Sequence, residues 1–217
     1  VSGEHAEARQ AILEARRSIP RRAAEETALM LVPNAGYPAA LEALRMLDQA
    51  WPGRARPTRE GTRADWRRRG ARRCGEVYGR VMPRLLASVR RLHPDMATWI
   101  VEDGYGRMLG RPGLTSRTRE LIAVALLSVL GWERQLVSHL LGGRRLGATQ
   151  ADLLAAVAMG MEHASPRARD AASAAVRAAL GGRRESPART PRRATRSRSR
   201  ARSGRDGASV DPPRGGA

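Results

Sequence analysis

Between Thr115 and Gly131 the chain reads TSRTRELIAVALLSVLG, and from Leu121 to Leu130 its single polar side chain is Ser128. Thr115 or Ser116 can cap the start of such a segment and Gly131 can end it, so the spacing predicts a helix. That helix is apolar almost all round, which makes it central, wrapped by neighbours on every side. The neighbours are helices too. Alternating patterns of Val, Ile and Thr are missing, while Ala, Leu, Arg and Glu dominate at helical spacing, so the fold class is all-α.

The partners can be placed along the chain. A first helix runs from about His5 to Ser18 and stops at Pro20, and a second begins near Arg22 and ends before Pro33. NAGYP is a turn by composition, followed by a third helix carrying Leu41, Leu44, Met46 and Leu47 and closed by Trp51-Pro52. The polar stretch GRARPTREGT, from Gly53 to Thr62, is a linker. A long helical pattern follows through Val77, Tyr78, Leu85 and Leu92, with a kink or break near Pro83. Pro94 starts another helix, which runs past Tyr105 to the turn at Gly110. After Gly131 the pattern resumes at Arg134 and passes through His139 to Gly147. Thr149 with Asp152 is a capping box for Leu153 to Met161, and Ser165-Pro166 starts the last helix.

Charge and composition narrow the partners. All 40 basic residues are Arg; 11 of them, against 3 acids, lie after Leu180, and the preceding residues hold 29 against 18. Both parts are basic, and their field attracts anions, small carboxylates as readily as nucleic acid. The stretch after Leu180 has almost no large apolar side chain to offset the entropy of ordering, so a disordered Arg/Ser/Pro/Gly-rich tail is expected over 181–217. Cys74 is the single cysteine, which excludes an intramolecular disulfide and a Cys-based zinc cluster. No run of eighteen apolar residues exists to span a bilayer, and the acids of VSGEHAEARQ do not suit a signal peptide. The expectation is a cytoplasmic protein without membrane association. His5, His93, His139 and His163 share no metal-ligand spacing, and the GGRR segment at Gly142 lacks the spacing and the Lys of a phosphate loop.

The segment RPGLTSRTRELIAVALLSVLGWERQLVSHLLGGRRLGATQADL resembles the core of the carboxymuconolactone decarboxylase and alkylhydroperoxidase D superfamily. The resemblance rests on the run Arg117, Arg119, Glu120, Leu121, on Gly131, on His139 and on the Gly147-Ala148-Thr149 turn. It is strong from Arg111 to about Ala158, extends more weakly back through RLHPDMATWIVEDGYGRML, and implies an all-helical module of this type from Gly104 to His163. The organisation expected is an N-terminal helical region over 1–60, an alkylhydroperoxidase D-like helical domain over 61–180, and the tail. The peroxidase members carry cysteines at the position after the glycine and three residues on. Here those positions are Trp132 and Gln135. Thiolate is the nucleophile in peroxide reduction, so the peroxiredoxin activity that the superfamily name suggests lacks its thiols.

What the resemblance then implies is the decarboxylase branch, a lyase with Glu120 and His139 as catalytic residues and Arg117, Arg119, Arg134, Gln135 and Trp132 in substrate binding. The substrate would be a small anion, a carboxylated unsaturated lactone whose ring carbonyl accepts the electrons released as carbon dioxide leaves, with no metal and no organic cofactor. Arg would hold carboxylates and stabilise an oxyanion, and His would deliver a proton to carbon. The family also implies a symmetric homo-oligomer, a trimer or hexamer, with sites near subunit contacts. Each residue has a plainer reading. Glu120 can be an acid in a first helical turn favoured by the helix dipole, His139 a core histidine with a satisfied hydrogen bond, the arginines solvated charges and Trp132 core or interface. A different function class also fits the composition: a non-catalytic, nucleic-acid-associated protein whose tail gives weak, salt-sensitive, sequence-blind binding.

Overall fold

Among the residues described by the computed structural model, 2–59 and 61–181, every regular element is helical. An N-terminal layer comprises α1 (Ser2–Ala15), α2 (Arg21–Leu29), α3 (Leu31–Ala35) and α4 (Tyr37–Ala50). After the linker come α5 (Arg63–Tyr78), a 3₁₀ turn at Gly79–Val81, α6 (Met82–Leu92), α7 (Pro94–Trp99) and a π-helix, Ile100–Met108. The last described elements are α8 (Ser116–Leu130), α9 (Glu133–Arg145), α10 (Gln150–Glu162) and α11 (Pro166–Leu180). The expected tail lies outside the described residues.

Side-chain caps fix several of the starts. Thr115, Thr149 and Ser165 accept from the backbone N–H three residues on, at 3.0, 3.1 and 3.3 Å. Thr62 and Asp65 form a full capping box at the head of α5, where the linker ends. Three boundaries differ from the sequence expectation. Pro33 does not stop the chain but sits in the first turns of α3, where its missing N–H costs nothing, and the turn is made by Gly36 at φ 88°. The break near Pro83 falls instead at Gly79–Val81, and Pro83 occupies the first turn of α6. The helix after Pro94 changes to π geometry at Ile100, with Leu109 N–H bonded to the Gly104 carbonyl five residues back.

α8 is the centre, as its composition requires. α9, α10 and α11 pack around it, and Val124, Leu127, Leu136, Leu140, Leu153 and Val157 form the main core with Met30 of the N-terminal layer. α11 closes on this core through small side chains, Ala172, Ala175 and Ala179. A second, smaller core joins Cys74 and Val77 of α5 to Tyr105 of the π-helix. There the two helices touch backbone to backbone: a Cβ on Gly70 would lie 1.8 Å from the Val101 carbonyl oxygen, and one on Gly106 would lie 2.1 Å from that of Trp66. The described residues form one compact unit.

The N-terminal layer is tied to α8 by charge. Glu26 of α2 is 2 % exposed and accepts from Arg119 at 2.9 Å and from Arg111 at 3.0 Å. Arg119 also donates to the Arg111 and Pro112 carbonyls, so this buried guanidinium has backbone acceptors as well as its counter-charge.

Candidate functional site

Glu120 lies on the second turn of α8, not in its first turn, and the helix has no acidic residue in its first turn. It is therefore not a dipole-facing surface acid. Its side chain is 1 % exposed, and its Oε2 lies 2.8 Å from Nδ1 of His139 on α9. The helices bring this pair together because α9 crosses α8 at a point where it has no side chain. A Cβ on Gly142 would lie 2.8 Å from Glu120 Oε2 and 2.6 Å from a Val77 methyl. Gly143 likewise lets Leu153 of α10 approach. The paired glycines that resemble a phosphate loop in sequence thus make room for the carboxylate.

His139 stands at the rim, with 15 % of its side chain exposed. Trp132, Gln135 and His139, spaced three and four residues apart, form one stripe on α9. The stripe runs inward from Trp132, 56 % exposed, through exposed Gln135 to His139 and on to buried Gly142. Burial acts to lower the His139 pKa. The charge of Glu120 and the hydrogen bond to it together act more strongly, so the imidazole pKa stands above the usual histidine value.

Of the five residues expected around the substrate, Trp132 and Gln135 share this stripe, and Arg134 is exposed beside them. Arg117 is bonded to Asp152 at 2.5 Å, bracing α8 against α10; with the Thr149 bonds ahead of it, this contact holds the Asp152 carboxyl down to about 2. Arg119 faces away from His139, into the Glu26 cluster.

The structure adds residues that sequence reasoning left aside. Tyr105 donates to Tyr78 across 2.8 Å, with the rings edge to face, and the charge of Glu120 reaches both. Burial first, then that charge, pushes the Tyr78 hydroxyl up to about 12. Cys74, distant from Glu120 in sequence, is brought into the same cluster; burial and then Glu120 push its thiol up to about 12. At neutral pH it is a buried thiol, not a nucleophilic thiolate. A cavity of about 10 Å³ lies on the inner side of Glu120, lined also by Arg73, Tyr105, Ser116 and Arg119. Among the described residues no three His, Cys, Asp or Glu side chains come together to hold a metal ion, and no helix is long and apolar enough to cross a membrane.

Comparison with known proteins bears on the part of the molecule that carries this pair. Residues 94–178 match the sequence model of the carboxymuconolactone decarboxylase family. Over these residues the chain is similar to that family. The matched segment includes α8 and α9 entire, hence Glu120, His139 and the stripe, and it lacks the cysteine pair. Arg73, Cys74, Tyr78 and Glu26 belong to the chain ahead of the matched segment, so its centre is lined partly from outside it. No curated protein and no solved structure matches the chain significantly.

Proposed function

We propose that the chain is a decarboxylase-type lyase in which His139 donates a proton to carbon and Glu120 holds and charges it. The observation that carries this reading is the 2.8 Å contact between a fully buried carboxylate and an imidazole at the protein rim. Glu120 engages Nδ1, which leaves Nε2 as the atom able to meet a substrate, and the raised pKa keeps the imidazole protonated nearer neutral pH. In a carboxylated unsaturated lactone the bond to the carboxyl carbon breaks and its electron pair enters the ring, delocalised onto the ring carbonyl. Nε2 then gives its proton to the ring carbon, and the imidazole recovers a proton from water.

The substrate would approach the outer stripe, over Trp132 and Gln135 with Arg134 beside it, since the cavity behind Glu120 is too small for a ring. Such an open site suits the homo-oligomer, trimer or hexamer, that the family resemblance implies, with a second subunit covering exposed Trp132 and Leu130. Light scattering on the purified chain checks the assembly, and a monomer counts against this site.

The decisive experiment is a screen of unsaturated carboxylated lactones with wild type, His139→Ala and Glu120→Gln, following carbon dioxide release. Loss of the general acid should lower turnover by roughly two to four orders of magnitude. Unchanged turnover in a folded His139→Ala protein removes His139 from the mechanism. No turnover by wild type across the screen removes the decarboxylase reading.

A further inference from the structure

Arg73 and Arg119 each carry a buried Nε–H that has no hydrogen-bond partner among the described residues. Other nitrogens of both side chains have partners. Arg119, 2 % exposed, spends Nη2 on Glu26 and two carbonyls and places Nη1 against the Met30 sulfur. Arg73 donates from Nη1 to Glu76 and to Ser116 Oγ. Both side chains line the cavity of about 10 Å³ behind Glu120. Native proteins rarely leave buried N–H groups unmatched, and two on side chains that line one small cavity point to a common acceptor.

Size and chemistry identify that acceptor. The volume is close to the minimum that holds one water-sized molecule, roughly 10–15 Å³. Glu120 bonds to His139 through Oε2, which leaves Oε1 as the carboxylate oxygen for a second partner. The occupant must accept from two guanidinium N–H groups and donate to a carboxylate oxygen. Water has two lone pairs and two hydrogens and does both. A halide accepts but cannot donate, and it would be repelled by the Glu120 charge.

We propose that this cavity is a binding site for one water molecule, clamped by the Nε–H groups of Arg73 and Arg119 and donating to Glu120 Oε1, and that Arg73 is thereby a positioning residue for the Glu120–His139 pair. The second half rests on reading that pair as the working one. Arg73 lies on α5, ahead of the matched segment, so the chain preceding that segment completes the support of its central carboxylate.

The test uses the full chain and needs no substrate. A high-resolution crystal structure grown in bromide should show density about 3 Å from both Nε atoms and from Glu120 Oε1, without anomalous signal. A bromide peak there, or no density, overturns the water site. In solution, the downfield proton resonance of the His139–Glu120 hydrogen bond should be lost or move upfield in Arg73→Gln and stay in place in Arg72→Gln, whose side chain is exposed on the same helix. An unmoved resonance in folded Arg73→Gln overturns the positioning role. Should Arg73→Gln fail to fold, Ser116→Ala, which removes the hydroxyl that holds Arg73, is read in the same way. Failure of the lactone screen leaves both arms standing, and failure of either arm leaves the screen to be judged by itself.

Discussion

His139 is held by opposing effects, and the balance between them can be measured. Because its folded pKa stands above its unfolded value of about 6.5, the pairing with Glu120 contributes fully below that pH and is lost as the pH rises through the folded pKa. Glu120→Gln should therefore lower the His139 pKa, read by NMR titration, and should cost more stability in acid than in alkali by denaturant unfolding. An equal cost at both ends would mean that charge plays no part in the pairing. Cys74 makes a second test at this scale. With its thiol pushed up to about 12, the folded protein should react negligibly with thiol reagents at neutral pH and show no dithiol-dependent peroxide turnover. Rapid turnover abolished by Cys74→Ser would contradict the burial described for it. The pair itself was legible in the sequence, because Glu120 and His139 stand at fixed places in a continuous motif. Arg73, Cys74 and Tyr105 were not. They come near Glu120 only through the packing of α5 on the π-helix, and no local pattern announces that packing.

At the scale of elements, glycines separate what the sequence could and could not tell. Gly70, Gly75 and Gly79 lie in α5 or at its end, yet each does something different. Gly70 lets two backbones meet, Gly79 turns the chain at φ 55°, and a Cβ on Gly75 meets nothing within 4 Å. Gly75→Ala should thus be neutral or stabilise by up to about 1 kcal/mol through helix propensity. Gly142→Ala should destabilise by about 1–3 kcal/mol through overpacking against Val77 and Glu120, and should disturb the His139 resonance as well. Thermal melts of the two variants provide the comparison, and similar midpoints would refute the crossing geometry of α8 and α9. Helix starts were better marked. Thr115, Thr149 and Ser165 were readable because a cap is a local hydrogen bond between residues three apart, whereas the π-helix at Ile100–Met108 has no such local mark.

At the scale of the molecule, the all-α class and the central place of α8 followed from composition, because a helix apolar almost all round has no other stable setting. The junction with the N-terminal layer was hidden, since Glu26 and Arg119 are each ordinary on their own helices and meet across 93 residues. Removing one partner of such a buried pair strands the other's charge. Glu26→Gln should destabilise the whole unit by about 3–5 kcal/mol, measured by urea unfolding at neutral pH, and a loss under about 1 kcal/mol would show the pair to be solvated in solution. The same contact bears on what could be inherited or transplanted. A chain beginning at residue 94 would keep Arg119 and lose Glu26, leaving a guanidinium inside an apolar bundle without its counter-charge. The segment that matches the family is thus shorter than the stretch of chain that its own buried charge balance requires.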